Sequence, residues 1–172
     1  TVDLSVGANV SEAVINVTAK DINSAYTITG GTVNKIDLGA GRYSVSGGSG
    51  KDTITAGSGD ATIFGNGGND SITLGSGSAV VTTGAGDDTI MAGSGAATIT
   101  GDGGKDVITA TSAATDTTKY SITGGAAGDS ITVGKGSFII DAGAGTDIDT
   151  ISVIGATTNS TYVITGGTVN KI

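Results

Sequence analysis

The chain has 172 residues and a formal charge of −8, with 32 Gly and no Pro, Cys, Trp or His. Two Phe and four Tyr cannot fill a thick two-layer core, the lack of Cys and His excludes disulfides and soft-ligand metal sites, and the acidic balance excludes a nucleic-acid surface. The charge rests on fifteen Asp and the single Glu12, a bias toward the short carboxylate that turns and hard-metal sites use.

Taken in chain order, residues 1–22 alternate like strands in TVDLSVG and AVINVTA but do not fit the period that follows. They are expected to form an irregular β segment or a cap. Residues 23–109 are regular. Ile36, Val45, Ile54, Ile63, Ile72, Val81, Ile90, Ile99 and Ile108 stand nine residues apart. A turn precedes most of them, with Gly at its second and fourth places, and three β-forming residues follow, as in Thr53-Ile54-Thr55. Alternation along such a strand turns the middle residue inward. The expected fold is all-β: a parallel β-roll, or two-sheet β-solenoid, of nine-residue repeats with eighteen residues per coil. Its strands stack about 4.8 Å apart and its core is a double ladder of single Ile or Val side chains.

Between Ile108 and Ile122 the period breaks, and residues 110–119 (ATSAATDTTK) read as a polar loop pushed out of the roll. Residues 120–172 resume the phase at Ile122, Ile131 and Ile140, with a small insertion in GAGTDIDTI (143–151). The chain ends on a repeat of its own beginning. NSAYTITGGTVNKI (23–36) returns as NSTYVITGGTVNKI (159–172), identical at twelve of fourteen positions and 136 residues on. The nonamers therefore sit inside a larger module, and a tandem array is expected.

A second period carries the chemistry. The sixth place of alternate turns holds Asp52, Asp70, Asp88 and Asp106, eighteen apart and so on one rim of the roll. The turns between hold Ala61, Ala79 and Ala97, flanked by Tyr43 and Phe138. Bare carboxylates at such spacing repel one another. A divalent cation between them removes the repulsion, and calcium suits it best, because it takes six to eight oxygen ligands, backbone carbonyls included.

The segments GGSGKDTIT (47–55), GNGGNDSIT (65–73), TGAGDDTIM (83–91) and GDGGKDVIT (101–109) resemble the RTX, or haemolysin-type, nonapeptide repeat GGxGxDxUx, a known calcium-binding signature. GGAAGDSIT (124–132) matches less fully, with Ala127 at the fourth place. The resemblance covers roughly residues 30–172, apart from the break near 110–119. It implies Ca2+ held by Asp52, Asp70, Asp88, Asp106 and Asp129, with either Asp147 or Asp149 in the next turn. It also implies ligation by carbonyls of the turn residues Gly48, Gly50, Asn66, Gly68, Gly84, Gly86, Asp102 and Gly104. Asn34 and Asn170 hold the carboxylate's place in the outer turns, where a neutral amide suggests weaker terminal sites. The opposite, Ala-bearing rim departs from the family pattern and is expected to be free of metal.

No catalytic residues are expected: His and Cys are absent, one Glu cannot form a Glu pair, and the Ser and Thr hydroxyls lie on strand exteriors without a base. The chain is similar to the RTX-type bacterial surface-layer proteins. That likeness implies a secreted, calcium-dependent structural module, exported by type I secretion, that self-associates into a lattice or filament. Two other readings are the carboxyl-terminal secretion and folding domain of an exported protease, lipase or toxin, and an ice- or polysaccharide-binding adhesin repeat. The last would use the Thr-x-Thr rows at 27–29, 53–55 and 98–100. Neither nucleic acid nor membrane insertion is expected, since no stretch approaches the ~18 apolar residues of a span.

Overall fold

The computed structural model describes residues 2–5, 13–17, 25–29, 32–111, 115, 117–167 and 170–171. Its strands alternate between two parallel sheets. The first sheet holds β1 (Val2–Ser5), β3 (Ala25–Thr29), β5 (Arg42–Gly48), β7 (Ala61–Gly67), β9 (Ala79–Ala85), β11 (Ala97–Gly103), β13 (Lys119–Ala126), β15 (Ser137–Gly143) and β17 (Thr161–Thr165). The second holds β2 (Ala13–Val17), β4 (Asn34–Leu38), β6 (Thr53–Thr55), β8 (Ser71–Thr73), β10 (Thr89–Met91), β12 (Val107–Ala110), β14 (Ser130–Val133), β16 (Asp149–Val153) and β18 (Asn170–Lys171). Each strand pairs with the one a full coil away, so Ile54, Ile72, Ile90, Ile108, Ile131 and Ile151 form one column of the second sheet. This is the two-sheet β-solenoid that the nine-residue period predicts.

The structure differs from the sequence-based expectation in three respects. First, the core is wider than a double ladder. Besides the central Ile and Val, it buries first-place residues Leu38, Ala56, Leu74, Ala92, Ala110 and Val133, and sixth-place residues Tyr43, Ala61, Ala79, Ala97, Tyr120 and Phe138. The reason is the period of two: places six, eight and one follow at i, i+2 and i+4 and all point inward. Second, the central first-sheet strands run seven residues, against three in β6, β8 and β10. Their pairing continues into the turn, as in Asn66↔Gly84 and Gly67↔Ala85. Third, β1 and β2 take up the same parallel register as their neighbours, so part of residues 1–22 belongs to the roll.

The polar insertion lies between Ala110, which is buried in β12, and Lys119, which opens β13. Thr115 and Thr117 are exposed there, and the Thr115 N–H donates to Thr118 Oγ1 at 3.2 Å. Residues 112–114 and 116 lie outside the described residues. The chain also leaves the roll at residues 154–159, which are exposed between β16 and β17. Near this end the Ala column gives way to stacked rings. Tyr120 and Phe138 lie 4.8 Å apart, and Phe138 and Tyr162 lie 5.5 Å apart, all close to parallel.

The Ala-rim turns need glycine for space. A Cβ on Gly57 would collide with the carbonyl group of Gly39 in the coil before it. Coils at strand spacing leave no room for side chains between the turns. Each rung is stable only against its neighbours, so a cavity in one reaches both. Replacing the fully buried Ile90 with Ala is expected to cost about 2–5 kcal/mol, read from denaturant unfolding in saturating calcium. A loss below about 1 kcal/mol would show that the rungs do not depend on one another in this way.

Candidate metal centre

The Asp-bearing turns carry the chain from the first sheet to the second. Because the sixth place points inward, each carboxyl is drawn into the end of the core. Asp52, Asp70, Asp88, Asp106, Asp129 and Asp149 are all at most 3% exposed. One oxygen of each is satisfied by backbone. Asp70 Oδ1 accepts the Asp52 N–H at 2.8 Å, Asp88 Oδ1 the Asp70 N–H at 2.7 Å, and Asp106 Oδ1 the Asp88 N–H at 2.9 Å. The same bond crosses the two longer coils, from Asp106 N to Asp129 Oδ1 at 2.8 Å and from Asp129 N to Asp149 Oδ1 at 2.9 Å. Each carboxylate thus ties its coil to the preceding one.

The second oxygen is left over. Oδ2 of Asp52, Asp70, Asp88, Asp106 and Asp129 is buried with no hydrogen-bond partner. In four of these coils it packs against the glycine at the first place of the turn, where no side chain fits. A methyl group added to Gly47 would meet Asp52 Oδ2 and stand 3.0 Å from the carbonyl oxygen of Gly65, one coil on. On Gly65 it would meet Asp70 Oδ2 and stand 2.5 Å from Thr83 O. On Gly124 it would meet Asp129 Oδ2 and stand 2.5 Å from Ala142 O, and Gly101 has the same arrangement with Asp106 Oδ2 and Gly124 O. A buried carboxylate oxygen and a carbonyl oxygen therefore converge on one cradle, both acceptors. An orphaned buried acceptor costs about 1–3 kcal/mol, and more when charged.

Asn34 shows what the cradle lacks. It occupies the Asp place one coil before Asp52, and its amide nitrogen donates to Gly47 O at 2.5 Å and to Asp52 Oδ1 at 2.7 Å. Where the side chain carries hydrogen, the carbonyl is satisfied; where it is a carboxylate, a proton or a cation has to come from elsewhere. Among the described residues no three acidic or other ligating side chains converge. A metal here must draw on backbone oxygens as well as carboxylates, which suits a hard ion such as Ca2+.

The acidity of the column follows from the same geometry. Burial pushes Asp70 from its ordinary 3.8 to about 7, the Asp52 N–H offsets part of the rise, and the Asp52 and Asp88 carboxylates add to it. Asp106 is also pushed to about 7 and Asp129 to about 6, again chiefly by burial. Burial raises Asp52 and Asp88 too, against the bonds from Asn34 in the first case and from the Asp70 N–H in the second, with the Asp87 carboxylate adding to the rise at Asp88. Without a counter-charge the column resists ionisation.

The structure brings together Asp52, Asp70, Asp88, Asp106 and Asp129, with Asn34 at one end. Of the pair left open by the sequence, Asp149 joins the column and Asp147 does not: Asp147 is exposed in a two-residue bulge beside exposed Ile148. Asn170 pairs in register with Asp149. Asn66 and Asp102 lie in the turns with left-handed backbone (φ 79° and 66°), and their side chains are exposed, so only their main chain belongs to the site. Gly84 shares that conformation (φ 97°), as do Gly48, Gly68, Gly86 and Gly104, whereas a Cβ on Gly50 would run into the Thr32 carbonyl. Sequence reasoning missed the first-place residues Gly47, Gly65, Thr83, Gly101 and Gly124. The signal was present: the same place on the other rim holds Leu38, Ala56, Leu74 and Ala92.

The family model of the RTX calcium-binding nonapeptide repeat (4 copies) matches residues 46–81 and again 82–112. No curated protein and no solved structure matches the chain. The matched segments contain the coils of Asp52, Asp70, Asp88 and Asp106 and stop short of Asp129. Residues 46–112 are RTX calcium-binding repeats, folded as a β-roll whose ion is Ca2+.

Proposed function

We propose that the chain is a calcium-dependent structural module of a secreted bacterial surface-layer or surface-filament protein, and that the aspartate column from Asp52 to Asp129 holds the ions with carbonyls of the adjoining turns. The observation that carries this reading is the row of buried Oδ2 atoms, each without a partner. When bound, calcium supplies positive charge to this row and lets the acidic oxygens of successive coils stay ionised side by side. The chain contributes the rest: turns that aim carbonyls inward, and carboxylates that already bond the preceding coil. Extracellular calcium modules bind at roughly 10⁻⁴ to 10⁻³ M. Inside a cell, where calcium is scarce, the acidic Gly-rich chain stays unfolded and fit for export by type I secretion; outside, it folds.

The repeat of residues 23–36 at 159–172 supports the array part of the reading. β17 and β18 belong to the same two sheets as β3 and β4, so a second copy of the module stacked on them would extend the roll in register. The surface-binding alternative loses support from placement. The Thr-x-Thr rows at 27–29 and 98–100 lie in first-sheet strands and that at 53–55 in the second, so they do not share a face. Phe64, Val80, Met91 and Val107 interrupt the outer rows.

The test combines equilibrium dialysis for calcium, small-angle scattering and analytical ultracentrifugation of the purified chain. Calcium uptake, compaction and growth into larger species are expected together in the millimolar range. Uptake and compaction with a persistent monomer would remove the assembly role and leave the folding module; absence of uptake would overturn the whole reading.

A further inference from the structure

The five coils from Gly47 to Asp129 are alike at the first and sixth places except at one point: Thr83 stands where the others have Gly47, Gly65, Gly101 and Gly124. Its side chain is fully buried at the inner end of the Asp88 coil. A Cβ in the neighbouring cradles would press on the orphaned Oδ2 and on the next coil's carbonyl. Thr83 places a Cβ, a methyl and a hydroxyl there. The hydroxyl donates to Gly101 O at 2.8 Å, and Gly101 O is the counterpart of the carbonyls that lie beside the first-place glycine and Oδ2 in the glycine coils. Asn34 does the same for Gly47 O with its amide. At two points of one column, then, a side-chain donor meets the carbonyl that in the glycine coils has no such donor, although Asp88 Oδ2 itself is still without a hydrogen-bond partner.

We infer that Thr83 replaces a calcium ion in the Asp88 coil and divides the metal column in two. One block gathers around Asp52 and Asp70, the other around Asp106 and Asp129, with a metal-free coil joining them. This inference rests on the calcium reading of the column and adds to it which coil is exempt. The metal-free coil still transmits order, because Asp88 accepts the Asp70 N–H and donates its own N–H to Asp106 Oδ1.

The experiment is calcium stoichiometry by equilibrium dialysis on the whole chain. Thr83→Gly opens the cradle and is expected to bind one more ion than the parent chain. Thr83→Ser keeps the hydroxyl and is expected to match the parent. The converse change, Gly65→Thr, closes a neighbouring cradle and is expected to bind one ion fewer, which keeps the test open if Thr83→Gly folds poorly. An unchanged count in Thr83→Gly or Gly65→Thr, with a parent that binds calcium, overturns the role of Thr83 and leaves the column intact. A parent that binds no calcium overturns both.

Discussion

In chelator at pH 7.5 the chain is expected to lose its β-structure, and in the same chelator at pH 5 to regain much of it. The folded, metal-free column holds Asp70 and Asp106 near 7 and Asp129 near 6, above the ordinary 3.8 of a free carboxyl. Between about pH 4 and 7 the folded form therefore binds more protons than the unfolded one, and metal-free stability falls as pH rises through that window. The structural reason is plain: a protonated carboxyl carries the hydrogen that the facing carbonyl lacks. Calcium reverses the dependence, because acid protonates the carboxylates that hold it. A calcium site of roughly 10⁻⁴ M contributes about 2.7 kcal/mol at a hundredfold excess of ion. Two such sites already reach about 5 kcal/mol, the lower end of the whole stability of a natural domain. Far-ultraviolet circular dichroism and thermal melts at both pH values check this. Melting temperature should rise on acidification in chelator and fall in calcium; a chelated protein equally unfolded at both pH values would refute the account.

Changing Asp52, Asp70, Asp106 and Asp129 together to Asn is expected to produce a roll that folds without calcium and no longer binds it. Asn34 is the precedent within the chain: its N–H bonds to Asp52 Oδ1 at 2.7 Å while its amide satisfies Gly47 O. Repeated down the column, the amides form a ladder in which each side-chain oxygen still accepts the preceding N–H and each nitrogen reaches the next carbonyl. Each cradle so filled removes an orphaned acceptor, at about 1–3 kcal/mol, together with the repulsion between stacked charges. Alanine gives the opposite result. Asp70→Ala removes the acceptor of the buried Asp52 N–H and is expected to cost about 1–3 kcal/mol without calcium, and more in calcium, where a ligand is lost as well. Melts of the two variants in chelator separate the cases, and an Asn variant as disordered as the parent would show that Asn34 is no guide to the column.

Much of this architecture could be read from spacing. Nine-residue recurrence of Ile and Val is enough to place two parallel sheets, because a chain that turns every nine residues and buries one apolar side chain per strand has few other ways to pair its backbone. Eighteen-residue recurrence of Asp placed the carboxylates on one rim. The choice between Asp147 and Asp149 was not legible, because both lie within reach of the sixth place and only the pairing of Thr150 and Ile151 with Ser130 and Ile131 puts the two-residue bulge ahead of Asp149. Residues 1–22 stayed ambiguous for a similar reason: β1 and β2 fit the roll by register with β3 and β4, which a nine-residue search does not detect.

The sequence by itself determined the repeat, the rim that carries the acids and the hard-metal character of the site, since these depend only on residue type and period. The tertiary structure alone decided that the carboxyls are buried rather than lining the outer rim, that one oxygen of each is taken by the coil before it, and that the other shares a glycine cradle with a carbonyl from the coil after it. The difference has a physical cause. Period is a property of one strand, whereas the partner of each oxygen lies eighteen or more residues away and is set only when the coils stack.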